Sequence, residues 1–482
     1  MAPPNFLLVT FPGQGHINPS LRFAERLIRI GCHVTFTTAL SARRRMSDSK
    51  SPPPEGLSFA TFSDGYDEGI KEAELDLDVY MKEITRRGPE TLRELILEKR
   101  DRGTNFTHIF FTILMPWAAD VAQSLGLRST LVWIQPATVF DIYYYHFNGY
   151  DQLIRSSADA AAADNGDSRE IRLPGMLPMT SSYFPSFLAS GNQYHFSLPV
   201  IKRHFEILNS EKTGTMKPKV LVNTFEELEA EAVKAIDELN VIPVGPFIPL
   251  AFLDEQHPTD TSLGGDLFQK SRDLDYIDWL NKQQAASVIY ISFGSLSLFS
   301  RPQKEEMAKA LIAMGRPFLW VIRKRMGEEE EEDDKLSYEE ELSKLGMIVP
   351  WCSQVEVLSN PSVGCFVTHC GWNSTSESLV CGVPMVGFPQ WSDQQTNAKL
   401  VEEVWRTGVQ VGKGNGEGVV EAGEIERCLE VVLGDGEKGR ELRGNAKKWG
   451  ELAKKAAKDG GSSDNNLRRF VDGLVKGTAS SE

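Results

Sequence analysis

The chain has 482 residues, 41% hydrophobic and 25% charged, which is enough for two or more domains with full cores in an ordinary soluble protein. Its formal net charge of −15 argues against nucleic acid and anionic membranes as partners. Six cysteines lie scattered, five of them after residue 350, which argues against a disulfide framework.

The opening MAPPNFLLVTFPGQGH lacks a basic start and turns quickly to Gly and His, so it does not read as a signal peptide. No run of 18 apolar residues occurs, so no membrane span is expected, and the cytosol is the expected compartment. Residues Asn5 to Phe11 form a short apolar run that predicts a buried strand. A glycine turn follows, then helical spacing from Leu21 to Ile30 with Gly31 as the stop, then a second strand from Cys32 to Thr38. This is a βαβ opening. Gly13 and Gly15 begin a dinucleotide fingerprint, but Asn18 stands where the third glycine belongs, and no acid ends the second strand. A nicotinamide oxidoreductase is therefore disfavoured. His16 sits where open α/β sheets place their chemistry, past the end of the first strand. A capping or structural histidine remains the alternative from position alone.

Further strands are predicted over Leu57 to Phe62, Phe106 to Thr112, Ser129 to Ile134 and Lys219 to Phe225, with helices from Leu75 to Lys99 and from Pro116 to Gly126. The stretch from Thr138 to Tyr150 is crowded with aromatics, a mixture of core and, in part, walls for a flat hydrophobic ligand. Ser156 to Glu170 reads as a mobile loop. Polar residues from Asp254 to Asp266 read as a linker, which divides the chain into 1–253, 254–266 and 267–460, with a last helix over 461–482. The second domain opens with strands from Ser287 to Phe293 and from Pro317 to Ile322. The acidic run from Glu328 to Asp334 reads as a solvated loop and not as a metal-binding motif, because no strand closely precedes it. No repeat of solenoid length is visible.

The stretch from Trp351 to Gln394 carries the chemistry. Val363 to Cys370 predicts a buried strand, Gly371 breaks it, and Asn373 to Val380 starts with capping residues and reads as a helix. Strand, glycine turn and helix start together make an anion site, because free backbone N–H groups and the helix dipole point at it. His369 and Ser374 can donate to phosphate oxygens, and Glu377 is placed to accept from ribose hydroxyls. Trp351 offers a flat face for a base. Met385 to Pro389 predicts another strand, after which Asp393 and Gln394 suit sugar hydroxyls. Taken singly, His369 also reads as a structural histidine, and Trp351 and Trp372 as core. Cys365, Cys370 and Cys381 lack Cys-x-x-Cys spacing, so a metal site is not indicated.

This segment, with its initial Trp, HCGWNS core, later Glu and terminal Asp-Gln, resembles the signature box of plant family 1 UDP-dependent glycosyltransferases, and the resemblance runs over nearly the whole chain. It looks nearest to the branch of anthocyanin 5-O-glucosyltransferases and crocetin glucosyltransferases. The resemblance implies a GT-B architecture, an α/β chain of two Rossmann-like, doubly wound domains facing a cleft. It implies that Trp351 stacks on uracil, that the Cys352 backbone and Gln354 hold base and ribose, and that Glu377 binds ribose. His369, Asn373 and Ser374 are implied for the diphosphate, and Trp372, Asp393 and Gln394 for the sugar; Ser295, in the GSLS that follows the strand Ser287 to Phe293, is placed to reach the diphosphate too. A terminal Gln is associated with glucose over galactose. His16 is implied as the general base. The expected reaction is inverting transfer from UDP-glucose to a hydroxyl or carboxyl of a small hydrophobic metabolite, with no metal, no cofactor besides that donor, and a monomeric enzyme.

One position departs from the family pattern. The Asp that orients the catalytic His in most relatives lies eight residues before the one matching Asp120, and here that place is Thr112. A threonine cannot stabilise an imidazolium as a carboxylate does, though it can accept a weaker hydrogen bond from His16. A catalytically weak UDP-sugar-binding protein is the alternative this raises.

Overall fold

Each half of the chain builds its own all-parallel sheet, and in each the strand order reverses once. The structure is a computed structural model and describes residues 3–46, 53–69, 76–155, 170–189, 191–212, 217–253, 276–294, 299–323, 336–412, 414–416 and 418–479. The expected mobile loop, linker and acidic run lie outside the described residues, save Glu170 at the end of the loop, and so does Ser295. Two units are distinct, one of residues 1–268 with 455–482 and the other of residues 269–454.

In the first unit the strands are β1 (Asn5–Val9), β2 (His33–Ala39), β3 (Leu57–Phe62), β4 (His108–Thr112), β5 (Arg128–Trp133), β6 (Lys219–Val222) and β7 (Asn240–Pro243). Their order across the sheet is β3-β2-β1-β4-β5-β6-β7, all parallel. Parallel strands are covered on both faces, which is why β4 is buried at every residue and its sequence HIFFT does not alternate. Phe6, Phe23 and Phe110 interlock beneath the sheet, with edge-on ring pairs 5.2–5.3 Å apart. The last helix, Ser462–Ala479, belongs to this unit. Phe470 packs near His108 and Phe110, and Asn466 donates to the Pro243 carbonyl at 3.0 Å.

The second unit holds β8 (Val288–Ser292), β9 (Phe318–Val321), β10 (Met347–Val349), β11 (Val363–Thr368), β12 (Met385–Gly387) and β13 (Gly408–Gln410). The order is β10-β9-β8-β11-β12-β13, again parallel throughout. Ile289, Ile291, Trp320, Val367 and Leu429 are among its fully covered core residues.

Reversals of order fall between β1 and β4 and between β8 and β11. At such a point the loops leaving two neighbouring strands diverge to opposite faces of the sheet and open a crevice at the carboxyl ends. Past the end of β1 lies His16, in the first turn of the following helix, and Thr112 is the last residue of β4. The loops after β8 and β11 carry Gly294 and His369. Topology thus brings both groups of sequence-selected residues to the binding edges of their own sheets.

Two local expectations are corrected. The first helix runs from Gln14 to Arg29, so the GQGH segment is its first turn and not a preceding loop. Gly13 is the N-cap, and the N–H groups of His16 and Ile17 both bond its carbonyl at 2.9 Å. The helix after β11 starts at Trp372 and is capped by Gly371, so Asn373 and Ser374 lie in its first turn instead of capping it.

Candidate active site

In the second unit, His369 follows β11 and is enclosed by two glycines. A Cβ on Gly294 would stand 2.8 Å from its ring, and one on Gly371 would stand 2.5 Å from its Nε2. Gly294 also has a φ of +75°, which glycine adopts without strain. Only a bare backbone on both sides leaves room for this imidazole. Burial lowers its pKa to about 4, so the ring is neutral at physiological pH, and its Nδ1 has no hydrogen-bond partner among the described residues. Cys370, next in the chain, takes a φ of +61°, a costly conformation for a non-glycine residue. Asn397 holds it there by donating to the Cys370 carbonyl at 2.8 Å.

Beside this turn, Gln354 opens the helix Gln354–Ser359 and donates through Nε2 to Glu377 Oε2 at 2.6 Å and to Ser374 Oγ at 2.9 Å. The three side chains form one polar cluster on adjoining helices. Beneath it the Tyr290 hydroxyl lies 3.4 Å from Cys352 Sγ and 3.5 Å from Gln354 Oε1. Trp351 and Cys352 are both 7% exposed, so little of the indole face is open.

Asp393 and Gln394 follow β12 at the start of the helix Gln394–Lys399. Burial pushes the Asp393 carboxyl up, opposed by hydrogen bonds from Asn397, its own backbone, Ser392 and the Trp372 N–H. The Asn397 contact is 2.7 Å. Gln394 is turned by the chain itself: Oε1 accepts from the N–H groups of Gln390 at 2.8 Å and Trp391 at 3.1 Å. Its amide NH₂ is what it can offer a ligand. The Trp372 ring packs near Trp405, with centroids 5.8 Å apart, so its indole belongs to the core while its main chain serves Asp393.

In the first unit, His16 lies edge-on to Phe11 at 5.1 Å. Burial lowers its pKa to about 4, and Nδ1 has no hydrogen-bond partner among the described residues. Thr112, fully buried at the end of β4, does not meet this ring nitrogen. Its hydroxyl lies 3.3 Å from that of Thr10. Asp120 is exposed and paired with Arg203 at 2.6 Å. Among the described residues no group of His, Cys, Asp and Glu is arranged to hold a metal ion, and no helix is long and apolar enough to cross a membrane.

Sequence reasoning passed over Asn397, Tyr290, Thr10, Ser20 and Gly294. Asn397 had a signal, since it stands one helical turn after Asp393. Tyr290 and Thr10 lie in or beside apolar strands, and only the sheet register shows what their hydroxyls reach.

The profile of UDP-glucoronosyl and UDP-glucosyl transferase matches residues 152–435. Phloretin 4'-O-glucosyltransferase of Malus domestica is 54% identical, with 97% of both chains covered. Crocetin glucosyltransferase, chloroplastic, of Gardenia jasminoides is 52% identical over 98% of this chain and 97% of its own. Among solved structures, Os79 from O. sativa in complex with UDP superposes with a TM-score of 0.82 at 31% identity, over 97% of this chain and 100% of that one. With two parallel Rossmann-like sheets, each reversing its strand order once, the chain belongs to the plant UDP-dependent glycosyltransferases and is a UDP-glucosyltransferase of the GT-B fold.

Proposed function

We propose that the enzyme transfers glucose from UDP-glucose, with inversion, to a phenolic hydroxyl or a carboxyl of a small hydrophobic plant metabolite, such as a flavonoid, another phenolic or an apocarotenoid acid. The observation that carries the donor half is the turn after β11, where His369 is seated between Gly294 and Gly371 at a helix start. In this reading the diphosphate lies against that helix start, with His369, Asn373, Ser374 and Ser295 as partners. Glu377, oriented by Gln354, takes the ribose, and Trp351 with Cys352 takes the base. Asp393, Gln394 and the Trp372 main chain take the sugar.

His16 accepts the acceptor proton as the oxygen attacks the anomeric carbon, and the C–O bond to UDP breaks. Negative charge grows on the departing diphosphate, where the helix dipole and His369 oppose it. One displacement turns an α-linked donor into a β-glucoside or glucose ester. We propose that this proceeds without a metal or further cofactor, in a monomer located in the cytosol. Turnover insensitive to EDTA is the expected result for the first point, and cell fractionation tests the last, since the Gardenia relative is named chloroplastic.

Relatives named for phloretin and for crocetin support phenol and carboxylate acceptors respectively. A panel of both classes with UDP-glucose, read by mass spectrometry and with the anomeric configuration read by NMR, tests the assignment. A weak UDP-sugar binder is the second reading, favoured by the lack of a hydrogen bond from Thr112 to His16 Nδ1. Thermal protection by UDP without turnover on any acceptor would establish it.

A further inference from the structure

Among the described residues no side chain bonds His16 Nδ1, yet its main chain is held from two sides. Ser20 Oγ donates to the His16 carbonyl at 2.7 Å, and Thr10 Oγ1 donates to the same oxygen at 3.3 Å. Ser20 Oγ is also 2.9 Å from Thr10 Oγ1, which in turn lies 3.3 Å from Thr112 Oγ1. Thr10, Ser20 and Thr112 are all 0% exposed. The hydroxyls therefore form one buried chain, from the end of β4, past the end of β1, to the first turn of the helix Gln14–Arg29. Thr10 is itself anchored, its N–H bonding the Thr37 carbonyl at 3.0 Å.

The direction of this chain follows from its chemistry. Each hydroxyl both donates and accepts, whereas the His16 carbonyl only accepts. With Thr112 donating to Thr10 and Thr10 to the carbonyl, each link has one proton, and Ser20 donates to the same oxygen, so deleting the Thr112 hydroxyl loosens Thr10 among three fully buried side chains. Resting on the reading of His16 as general base, we infer that Thr112 is a positioning residue that acts on the His16 main chain through Thr10, with Ser20 bracing the same carbonyl, and not on its ring. A hydroxyl relay to the backbone replaces the carboxylate that orients the ring in most of the family. It fixes where the imidazole is held and leaves its proton affinity to burial.

Thr112→Val removes the hydroxyl at nearly constant shape. It should lower kcat on a neutral phenol roughly three- to tenfold, the worth of one buried hydrogen bond, with KM for UDP-glucose unchanged. Thr112→Ser should restore the rate. Ser20→Ala cuts the link nearest His16 and keeps helix propensity, so it should reproduce the loss even if Thr112→Val folds poorly. The acidic limb of the pH–rate profile should stay in place in both variants. A limb moved by a unit or more would show that Thr112 acts on the ring and overturn the inference. Combined with His16→Ala, Thr112→Val should cost nothing further. An equal loss in that background would mark a general structural effect and overturn the inference while leaving His16 as the base. Wild-type turnover by His16→Ala alone would overturn both.

Discussion

Gln394 offers a test in which acceptor and donor functions of one side chain separate. Its Oε1 receives two main-chain N–H groups, from Gln390 and Trp391, so only the NH₂ can meet a sugar hydroxyl. Gln394→Glu keeps an acceptor for both N–H groups and deletes the donor. Those two bonds and the helix start hold the new carboxylate ionised. A sugar oxygen then faces an unpaired, like-signed partner in a position only 4% exposed, which costs about 1–3 kcal/mol. That corresponds to a fall in kcat/KM for UDP-glucose of roughly fivefold to a hundred-and-fiftyfold. Gln394→Ala loses the same donor and also orphans the two N–H groups. Gln390 and Trp391 are only half-buried, so about 1–2 kcal/mol of stability should go with it, or a few degrees in Tm. Steady-state kinetics with thermal melts on both variants separates the terms. Retention of wild-type kcat/KM by Gln394→Glu would refute the assignment of the NH₂ to the sugar. Wild-type enzyme should also prefer UDP-glucose to UDP-galactose by about tenfold or more, because an inverted hydroxyl leaves a buried group unpaired, and equal use in competition would count against it.

His16→Ala should lower turnover on neutral phenols by about a hundredfold or more, while UDP affinity by calorimetry barely changes. Provided its longer carboxylate reaches the His16 imidazole, Thr112→Asp should raise that ring's pKa from about 4 by about 1–3 units. Rates on weakly acidic phenols should then rise more than rates on carboxylic acids, which are ionised already. A His16 NMR titration that does not move, or a steeper dependence on acceptor pKa in the mutant, would contradict this. Asp141 is fully buried, neither of its oxygens has a hydrogen-bond partner among the described residues, and burial and then Glu229 push its carboxyl well above the usual range. The folded state therefore keeps a proton that the unfolded chain releases near pH 4, and stability falls as pH rises above that point toward the raised value. Asp141→Asn should remove this slope and melt higher than wild type at pH 8, and parallel melting curves from pH 5 to 9 would exclude it.

Much of the molecule is legible in the sequence because its signals are local. Continuous apolar runs such as VGCFVTHC and SVIYISF mark buried parallel strands, since a strand covered on both faces has no polar side to show. Trp351, His369, Glu377, Asp393 and Gln394 lie within one short segment, so their shared purpose is visible before their geometry. Helix starts were read less well. Asn373 looked like a cap, yet Gly371 takes that place because a side chain there would strike His369. His16 looked like a loop residue, yet Gly13 caps the helix that carries it.

What only the tertiary structure decided are relations between distant segments. Thr112 stands 102 positions from Thr10, and register across β1 and β4 brings their hydroxyls together. That pairing turns a missing carboxylate into a relay aimed at a backbone carbonyl. Likewise, Gly294 confines His369 only because β8 and β11 are neighbours in the sheet. Residue type and spacing determined which chemistry the chain carries, since propensity and motif act within a few residues. Hydrogen-bond direction, burial and the resulting proton affinities depend on which strands lie side by side, and that follows from packing of the whole sheet.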